Sequence, residues 1–214
     1  DIETIGVDTD DDGTPDHLFT VASSLFEEGD IANLYVFGDS STVRLLVQPL
    51  DSGADTVELL NPPSYVESFE GGSLPGDFTT GGDADWIIDT TDASDGSYSA
   101  QSGSVDHSEQ TWMEFTYDFP SSGVLQFDWK VSSESASYDY LAYCLDEPDC
   151  GFDYVSYTST YDERIGGTGD GWETVSVDIE DAGTHTIHWF FRRDSSGGGG
   201  DDMGWVDNIR FVED

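Results

Sequence analysis

A strict alternation of apolar and polar residues is the feature that most constrains how this chain can fold. It is clearest at residues 113–119, where Met113, Phe115, Tyr117 and Phe119 alternate with Glu114, Thr116 and Asp118. The same period of two recurs in five further segments, at 125–131, 141–145, 175–179, 187–191 and 205–211. Such a period turns one face of each strand toward a shared core. Six strands of this kind predict an all-β, two-sheet antiparallel jelly-roll β-sandwich.

A proline pair divides the chain at Asn61-Pro62-Pro63-Ser64. We assign the sandwich to residues 63–214, because all six alternating segments lie there. Residues 1–62 hold an acidic loop, a short helical period near residues 18–28, and three candidate strands near residues 31–37, 43–47 and 56–60. A segment of about 60 residues buries too little surface to be robust alone. It is expected to pack on the sandwich, on a neighbouring subunit or on a further domain.

The charge balance excludes several classes of partner. Acidic residues number 46 against six basic ones, which gives a formal net charge of −40. Such a chain repels phosphate backbones and anionic headgroups, so we expect no nucleic acid partner. No apolar run approaches the roughly 18 residues of a membrane span, so no membrane insertion is expected. Self-repulsion on this scale calls for divalent cations or for high salt, and a halophilic or a marine origin fits equally well.

The most specific local motif is the acidic segment Asp8–Asp16. Carboxylates stand at its positions 1, 3, 5 and 9 and glycine at position 6, namely Asp8, Asp10, Asp12, Asp16 and Gly13. Thr14, at position 7, can offer its backbone carbonyl. The glutamate that closes an EF-hand loop at position 12 is missing, and the spacing instead resembles the calcium repeats of thrombospondin type 3 modules. The sequence predicts Ca²⁺ here, with a plain acidic surface loop as the alternative.

A second calcium site is predicted where the sandwich begins and ends. Asp207 alternates in phase with Ile209, so its carboxylate is expected to face the apolar side of the last strand. Glu67 in the first strand alternates in phase with Tyr65 and Phe69, so its carboxylate is also expected to face the apolar side. A carboxylate in such surroundings needs a cation or several hydrogen-bond donors. If the two strands are neighbours, Glu67 or Glu70 could share Ca²⁺ with Asp207; the alternative is hydrogen bonding to backbone amides at a strand end.

The two cysteines indicate whether the protein resides in an oxidising or a reducing compartment. Cys144 and Cys150 are the only two, and Pro148 bends the segment between them. They can close a short disulfide loop, which favours a secreted, extracellular or cell-surface protein. Two free buried thiols are the alternative reading.

A few residues stand out as candidate ligand contacts. Cations are so scarce that Lys130 and Arg193, with Asp139 as a partner, could form a polar cluster that binds a sugar or a peptide. Ion pairs that merely order loops are the more ordinary interpretation. Trp112 and Tyr157 could stack on sugar rings or anchor an interface, or could simply cover the open end of a sandwich.

Several ordered stretches carry a family resemblance, among them Glu67-Ser-Phe-Glu-Gly-Gly, Phe127-Asp-Trp-Lys-Val-Ser-Ser-Glu134 and Gly204-Trp-Val-Asp-Asn-Ile-Arg-Phe211. Residues 66–211 resemble the MAM-like or concanavalin-like jelly-roll modules of bacterial surface and secreted proteins. The resemblance implies adhesion, glycan binding or protein binding, with structural calcium at Glu67 or Glu70 and at Asp207. The Cys144–Cys150 loop and residues 152–161 depart from that pattern.

Catalytic motifs are missing from the sequence, which contains no His-Glu-x-x-His, no Gly-x-Ser-x-Gly and no phosphate-binding glycine loop. The sequence therefore predicts a non-enzymatic, secreted, calcium-binding module for cell-surface adhesion or self-assembly. Its partner would be another surface protein, a second copy of the chain or a glycan. The alternative is a carbohydrate-binding module of a secreted polysaccharide-active enzyme, and a hydrolase is the most distant reading.

Overall fold

The computed structural model describes residues 63–168 and 171–214 in full, and the backbone of four strands within residues 2–47. The chain divides into two compact units, Asp1–Pro62 and Pro63–Asp214. Every regular element in these described parts is a β-strand, so the predicted all-β class is confirmed. None of the described residues belongs to a helix long and apolar enough to cross a membrane.

The described strands of the first unit form two antiparallel pairs. β1 (Ile2–Val7) pairs with β2 (His17–Ala22), and β3 (Ala32–Gly38) pairs with β4 (Ser41–Val47). The helical expectation near residues 18–28 is wrong where it meets β2, because a strand partner supplies hydrogen bonds that a short helix cannot match. Val7 pairs with His17, so the predicted calcium segment Asp8–Asp16 links two paired strands; it lies outside the described residues, as do residues 56–60.

Residues 63–168 and 171–214 of the second unit contain thirteen strands. They are β5 (Tyr65–Glu67), β6 (Phe78–Gly82), β7 (Ile87–Asp89), β8 (Ser99–Gln101), β9 (Gln110–Phe119), β10 (Gly123–Ser132), β11 (Tyr140–Leu145), β12 (Gly151–Asp153), β13 (Thr158–Thr160), β14 (Glu163–Ile165), β15 (Glu173–Ile179), β16 (Gly183–Arg192) and β17 (Met203–Glu213). A six-stranded sheet has the order β15-β10-β17-β8-β7, with β5 also paired to β17. A five-stranded sheet has the order β14-β11-β16-β9-β6. Strands β12 and β13 form a separate hairpin. These two sheets form the predicted jelly-roll sandwich.

The core lies between the two sheets and is made of the alternating residues. Phe115, Phe127, Trp189 and Phe191 are among its members with at most 1% of their surface exposed. The rings of Phe127 and Trp189, one from each sheet, meet edge to face at 5.2 Å. Burying each such side chain contributes roughly 1.5–3 kcal/mol relative to exposure.

A β-bulge in β17 changes the face of the sheet on which Asp207 lies. Asn208 has a positive φ of 50°, and the pairing of β17 with β10 shifts register between Gln126 and Asp128. The extra residue moves Val206 into the core, opposite Trp129, while Ile209 remains there. Asp207 therefore faces away from the core, and the prediction that it shares the face of Ile209 is wrong. The bulge, which period-two counting ignores, is the physical reason.

Candidate functional site

The outer face of the five-stranded sheet, the side turned away from the core, carries aromatic, acidic and histidine side chains next to one another. Residues on β9, β11 and β16 that alternate with the core residues form this face, including Trp112, Glu114 and His188. A smaller apolar cluster of Tyr140, Ala142 and Phe190 lies at its centre. The segment between β11 and β13 folds back over this cluster.

A disulfide fixes that segment at its start. Cys144, buried in β11, is bonded to Cys150, and their Cα atoms are 6.0 Å apart. The disulfide that the sequence favoured is therefore present. Residues 146–149 between the cysteines are exposed and form the disulfide loop.

Two cavities lie on either side of the disulfide loop. The first, about 500 Å³, is lined by Gln110, Asp149, Cys150, Gly151, Phe152, Asp153, Thr158 and Thr160. The second, about 440 Å³, is lined by Glu114, Thr116, Asp146, Glu147, Pro148, Thr186 and His188. Among the described residues, neither lining contains lysine or arginine. Carboxylates and hydroxyls occur in both linings, and the first adds the amide of Gln110, so the surroundings suit a hydroxyl-rich ligand and repel an anionic one.

Trp112 lies on β9 between the strand positions that line the two cavities. Its indole rests against Gly81 of β6, where any Cβ would overlap the ring. The centroid of the Trp112 ring is 5.6 Å from that of His188, with the planes inclined by 30°. Trp112 is half-buried, and its role as a ligand contact stays a prediction.

His188 lines the second cavity beside Glu114. Burial lowers the pKa of His188, and this outweighs the opposite influence of Glu114, whose Oε1 lies 2.9 Å from Nδ1. The shift favours the neutral imidazole, which can both donate and accept a hydrogen bond.

Arginine–aromatic contacts hold the β12–β13 hairpin against the sheet. The Arg192 guanidinium, on a side chain only 5% exposed, lies 4.1 Å from the ring centroid of Phe152 and 5.2 Å from that of Tyr140. Arg164 continues the stack at 4.9 Å from Tyr140 and 5.0 Å from Tyr161. Sequence reasoning missed this arrangement, because its members come from β11, β12, β14, β16 and the β13–β14 connection. The scarcity of cations was the one available signal.

The other predicted ligand contacts are dispersed. Lys130 pairs with Asp92 and lies 5.3 Å from the Trp205 ring, on the six-stranded sheet. Arg193 does meet Asp139, with Nε 3.7 Å from Oδ2, but at the end of the other sheet. Lys130 and Arg193 therefore belong to separate sheets and form no common cluster.

The predicted calcium ligands of the sandwich accept backbone amides. Asp207, fully buried, accepts bonds from the amides of Ser94 and Asp95 at 2.7 and 2.9 Å, and burial raises its pKa to about 6. Exposed Glu70 accepts the amides of Ser97 and Tyr98 at 2.7 and 2.9 Å. These contacts correspond to the alternative reading of the sequence, amide hydrogen bonding.

Glu67 differs from Asp207 in the face it occupies. It pairs with the core residue Ile209, and its Oε1 accepts the amide of Phe69 at 2.5 Å. Glu67 and Asp207 thus project from opposite faces of the sheet, so the structure does not bring them together. Calcium binding by any of the predicted residues stays a prediction.

Comparison with known proteins returns structural similarities at low sequence identity. No sequence family and no curated protein matches the chain. A structure of TmCBM61 in complex with β-1,4-galactotriose is 15% identical, covers 69% of this chain and 94% of its own, and has a TM-score of 0.47. The C-terminal family 22 carbohydrate-binding module of Clostridium thermocellum Xyn10B is 17% identical, with 72% and 95% covered and a TM-score of 0.46. The K1 cleaved adhesin domain of Lys-gingipain from Porphyromonas gingivalis W83 is 16% identical, with 70% and 98% covered and a TM-score of 0.45.

Proposed function

We propose that residues 63–214 form a non-catalytic module of an exported protein that binds a neutral polysaccharide on the outer face of the five-stranded sheet. The observation that carries the proposal is the pair of cavities beside Trp112, lined by carboxylates, hydroxyls and an amide without a lysine or arginine among the described residues. Such groups accept and donate hydrogen bonds to sugar hydroxyls, and an indole offers a stacking surface. The Cys144–Cys150 disulfide supports export to an oxidising compartment.

The charge of the protein narrows the ligand class. A net charge of −40 disfavours sulfated or uronic acid polymers, because their approach is repelled. The lowered pKa of His188 favours its uncharged form, which would not reverse this preference. The ligand class is therefore a neutral glycan chain.

The test compares variants on a glycan array that carries both neutral and acidic polysaccharides. Trp112→Ala and the loop variant Glu147→Gln should lose retention on the neutral polysaccharide that the parent binds. Tyr138→Ala, which removes a half-exposed aromatic outside both cavity linings, should retain it. Equal binding by parent and Trp112→Ala, with both proteins folded, would reject the proposed surface.

A second candidate function, adhesion or self-assembly, rests on a different observation. The turn between β12 and β13 exposes Val155 by 91% and Tyr157 by 75%. Exposed apolar side chains at a protruding turn suit a protein contact better than a sugar. Size-exclusion chromatography of the parent and of Tyr157→Ser, with and without calcium, tests this. A parent that stays monomeric in every condition speaks against self-assembly.

A further inference from the structure

Three carboxylates that line neither cavity converge at one end of the sandwich. Glu134 and Asp139 lie in the β10–β11 connection, and Asp194 lies just after β16. Each offers a carboxylate oxygen, and these oxygens all lie within 4.8 Å of one another. Like charges at that separation repel, so the arrangement needs a compensating group.

The hydrogen bonding of the cluster leaves buried oxygens without a donor. Asp139 is fully buried, and its Oδ1 accepts the amide of Asp194 at 2.7 Å. Its Oδ2 accepts no hydrogen bond, and neither does the buried Oε2 of Glu134. A buried carboxylate oxygen without a partner is costly, and such atoms usually face an ion or water.

Arg193 does not satisfy these oxygens. Its Nε is 3.7 Å from Oδ2 of Asp139, beyond hydrogen-bond distance, and has no hydrogen-bond partner. The guanidinium is instead committed to Asp202, whose Oδ2 is 2.8 Å from Nη2, and to the carbonyl of Val105, 3.1 Å from Nη1. One guanidinium thus stands among four carboxylates.

The glycine run Gly197–Gly200 keeps space beside the cluster. Gly197 has a φ of +89°, and a Cβ there would lie 2.8 Å from Oε2 of Glu134. A side chain at this position would therefore crowd the carboxylate. Glycine also suits the positive φ and lets the backbone approach Glu134 closely.

We propose that Glu134, Asp139 and Asp194 bind one Ca²⁺ ion that ties the β10–β11 connection to the β16–β17 connection. Calcium accepts carboxylate oxygens in irregular geometry and completes its shell with carbonyls and water. Magnesium fits less well, because it dehydrates reluctantly and Oδ2 of Asp139 and Oε2 of Glu134 are buried. The site shares no residue with the calcium segment Asp8–Asp16 or with Glu67, Glu70 and Asp207.

The test counts calcium ions bound by the full chain in equilibrium dialysis, with enough sodium chloride to screen diffuse binding by surface carboxylates. Glu134→Gln, Asp139→Asn and Asp194→Asn should each lose one ion per chain, or weaken its binding by about tenfold or more, because a charged ligand is removed. Asp201→Asn is the matched control, since it neutralises a nearby exposed carboxylate outside the cluster and leaves the Arg193–Asp202 pair in place. Asp10→Asn/Asp12→Asn should leave this ion bound.

Hydrogen exchange provides a second measurement that does not depend on stoichiometry. Calcium should slow amide exchange in residues 193–202 of the parent and of Asp201→Asn, but not of the three cluster variants. Should Asp139→Asn fail to fold, the partly exposed Glu134 and Asp194 variants decide the outcome. Unchanged calcium affinity and unchanged protection of residues 193–202 in those two variants would overturn the proposal.

Discussion

Two histidines on β16 meet carboxylates in contrasting surroundings. His185 places Nδ1 2.6 Å from Oδ2 of Asp146 and Nε2 3.0 Å from the carbonyl oxygen of Asp181, so both ring nitrogens face acceptors. The hydrogen bond to Asp146 raises the pKa of His185. Burial lowers the pKa of His188, although Glu114 opposes that shift. The two groups should therefore contribute to stability with opposite dependence on pH.

The His185 contribution should be present at low pH and vanish at high pH. Because its folded pKa lies above the unfolded value of about 6.5, protonated His185 stabilises the native state below that value. This stabilisation is lost as pH rises through the folded pKa. Relative to the parent, His185→Gln should therefore have a lower Tm at about pH 6 and an equal Tm well above neutrality. The half-exposed Asp146 limits the effect to below about 1 kcal/mol.

His188→Gln is the matched comparison. Its folded pKa lies below the unfolded value, so native His188 contributes stability above that value and loses it as pH falls. Thermal unfolding of the parent and both variants across this range separates the two histidines. A constant difference between the parent and His185→Gln at every pH would contradict the assigned ion pair.

Single residues also set the limit of what alternation could predict. Period-two counting placed Phe115, Phe127 and Trp189 in the core correctly, because uninterrupted strands keep their parity. It failed for Asp207, because the β-bulge at Asn208, a residue with a positive φ, shifts the alternation of the strand by one residue. Asn tolerates that conformation, but many asparagines do not adopt it, so the sequence contained no decisive signal.

At the scale of elements, the β12–β13 hairpin is the part that sequence reasoning could least anticipate. For residues 152–161 the sequence indicates a departure from the family pattern and an aromatic candidate at Tyr157, but no strand pairing. What holds the hairpin is the Arg192 guanidinium over Phe152 and Tyr140, together with Gln110, whose side-chain amide exchanges two hydrogen bonds with the backbone of Phe152. Those partners are far apart in sequence, and no local periodicity relates them. The cavity beside Gln110 was unforeseen for the same reason.

Replacing Arg192 with lysine should loosen the hairpin and leave the sandwich intact. A planar guanidinium stacks on aromatic rings, whereas a compact ammonium cannot cover the same area. We expect Arg192→Lys to cost about 1–2 kcal/mol of unfolding free energy, since the contact is desolvated. Hydrogen exchange should accelerate in residues 151–160 before it does in β9 or β16.

Arg210→Lys is the control for this substitution. Arg210 donates a hydrogen bond from Nε to Oε1 of Gln126 at 3.0 Å, and no ring contact to it is observed among the described residues. Its replacement should leave exchange in the hairpin unchanged. If Arg192→Lys and Arg210→Lys were equally harmless to the hairpin, the stacking account would be wrong.

At the scale of the whole molecule, the cations described in the sandwich lie in contacts within the fold. Arg164 and Arg192 stack on rings, Lys130 pairs with Asp92, and Arg193 pairs with Asp202. The chain as a whole has 46 acidic residues against six basic ones. Self-repulsion on this scale opposes a compact state, so we expect cations from solution to stabilise the fold.

Calcium and salt should stabilise the full chain by separable routes. Calcium bound to the native state stabilises it by mass action, so a chelator should lower Tm by more than about 2 °C, or ~1 kcal/mol for a chain of this size. Sodium chloride at about 1 M, where the Debye length is about 3 Å, should restore the part due to diffuse repulsion and leave the site-specific part missing. Thermal unfolding with calcium, with chelator, and with chelator plus salt measures both parts, and salt added to the calcium-loaded protein is the control. A chelator effect below about 2 °C would mean that salt adaptation alone sustains the fold.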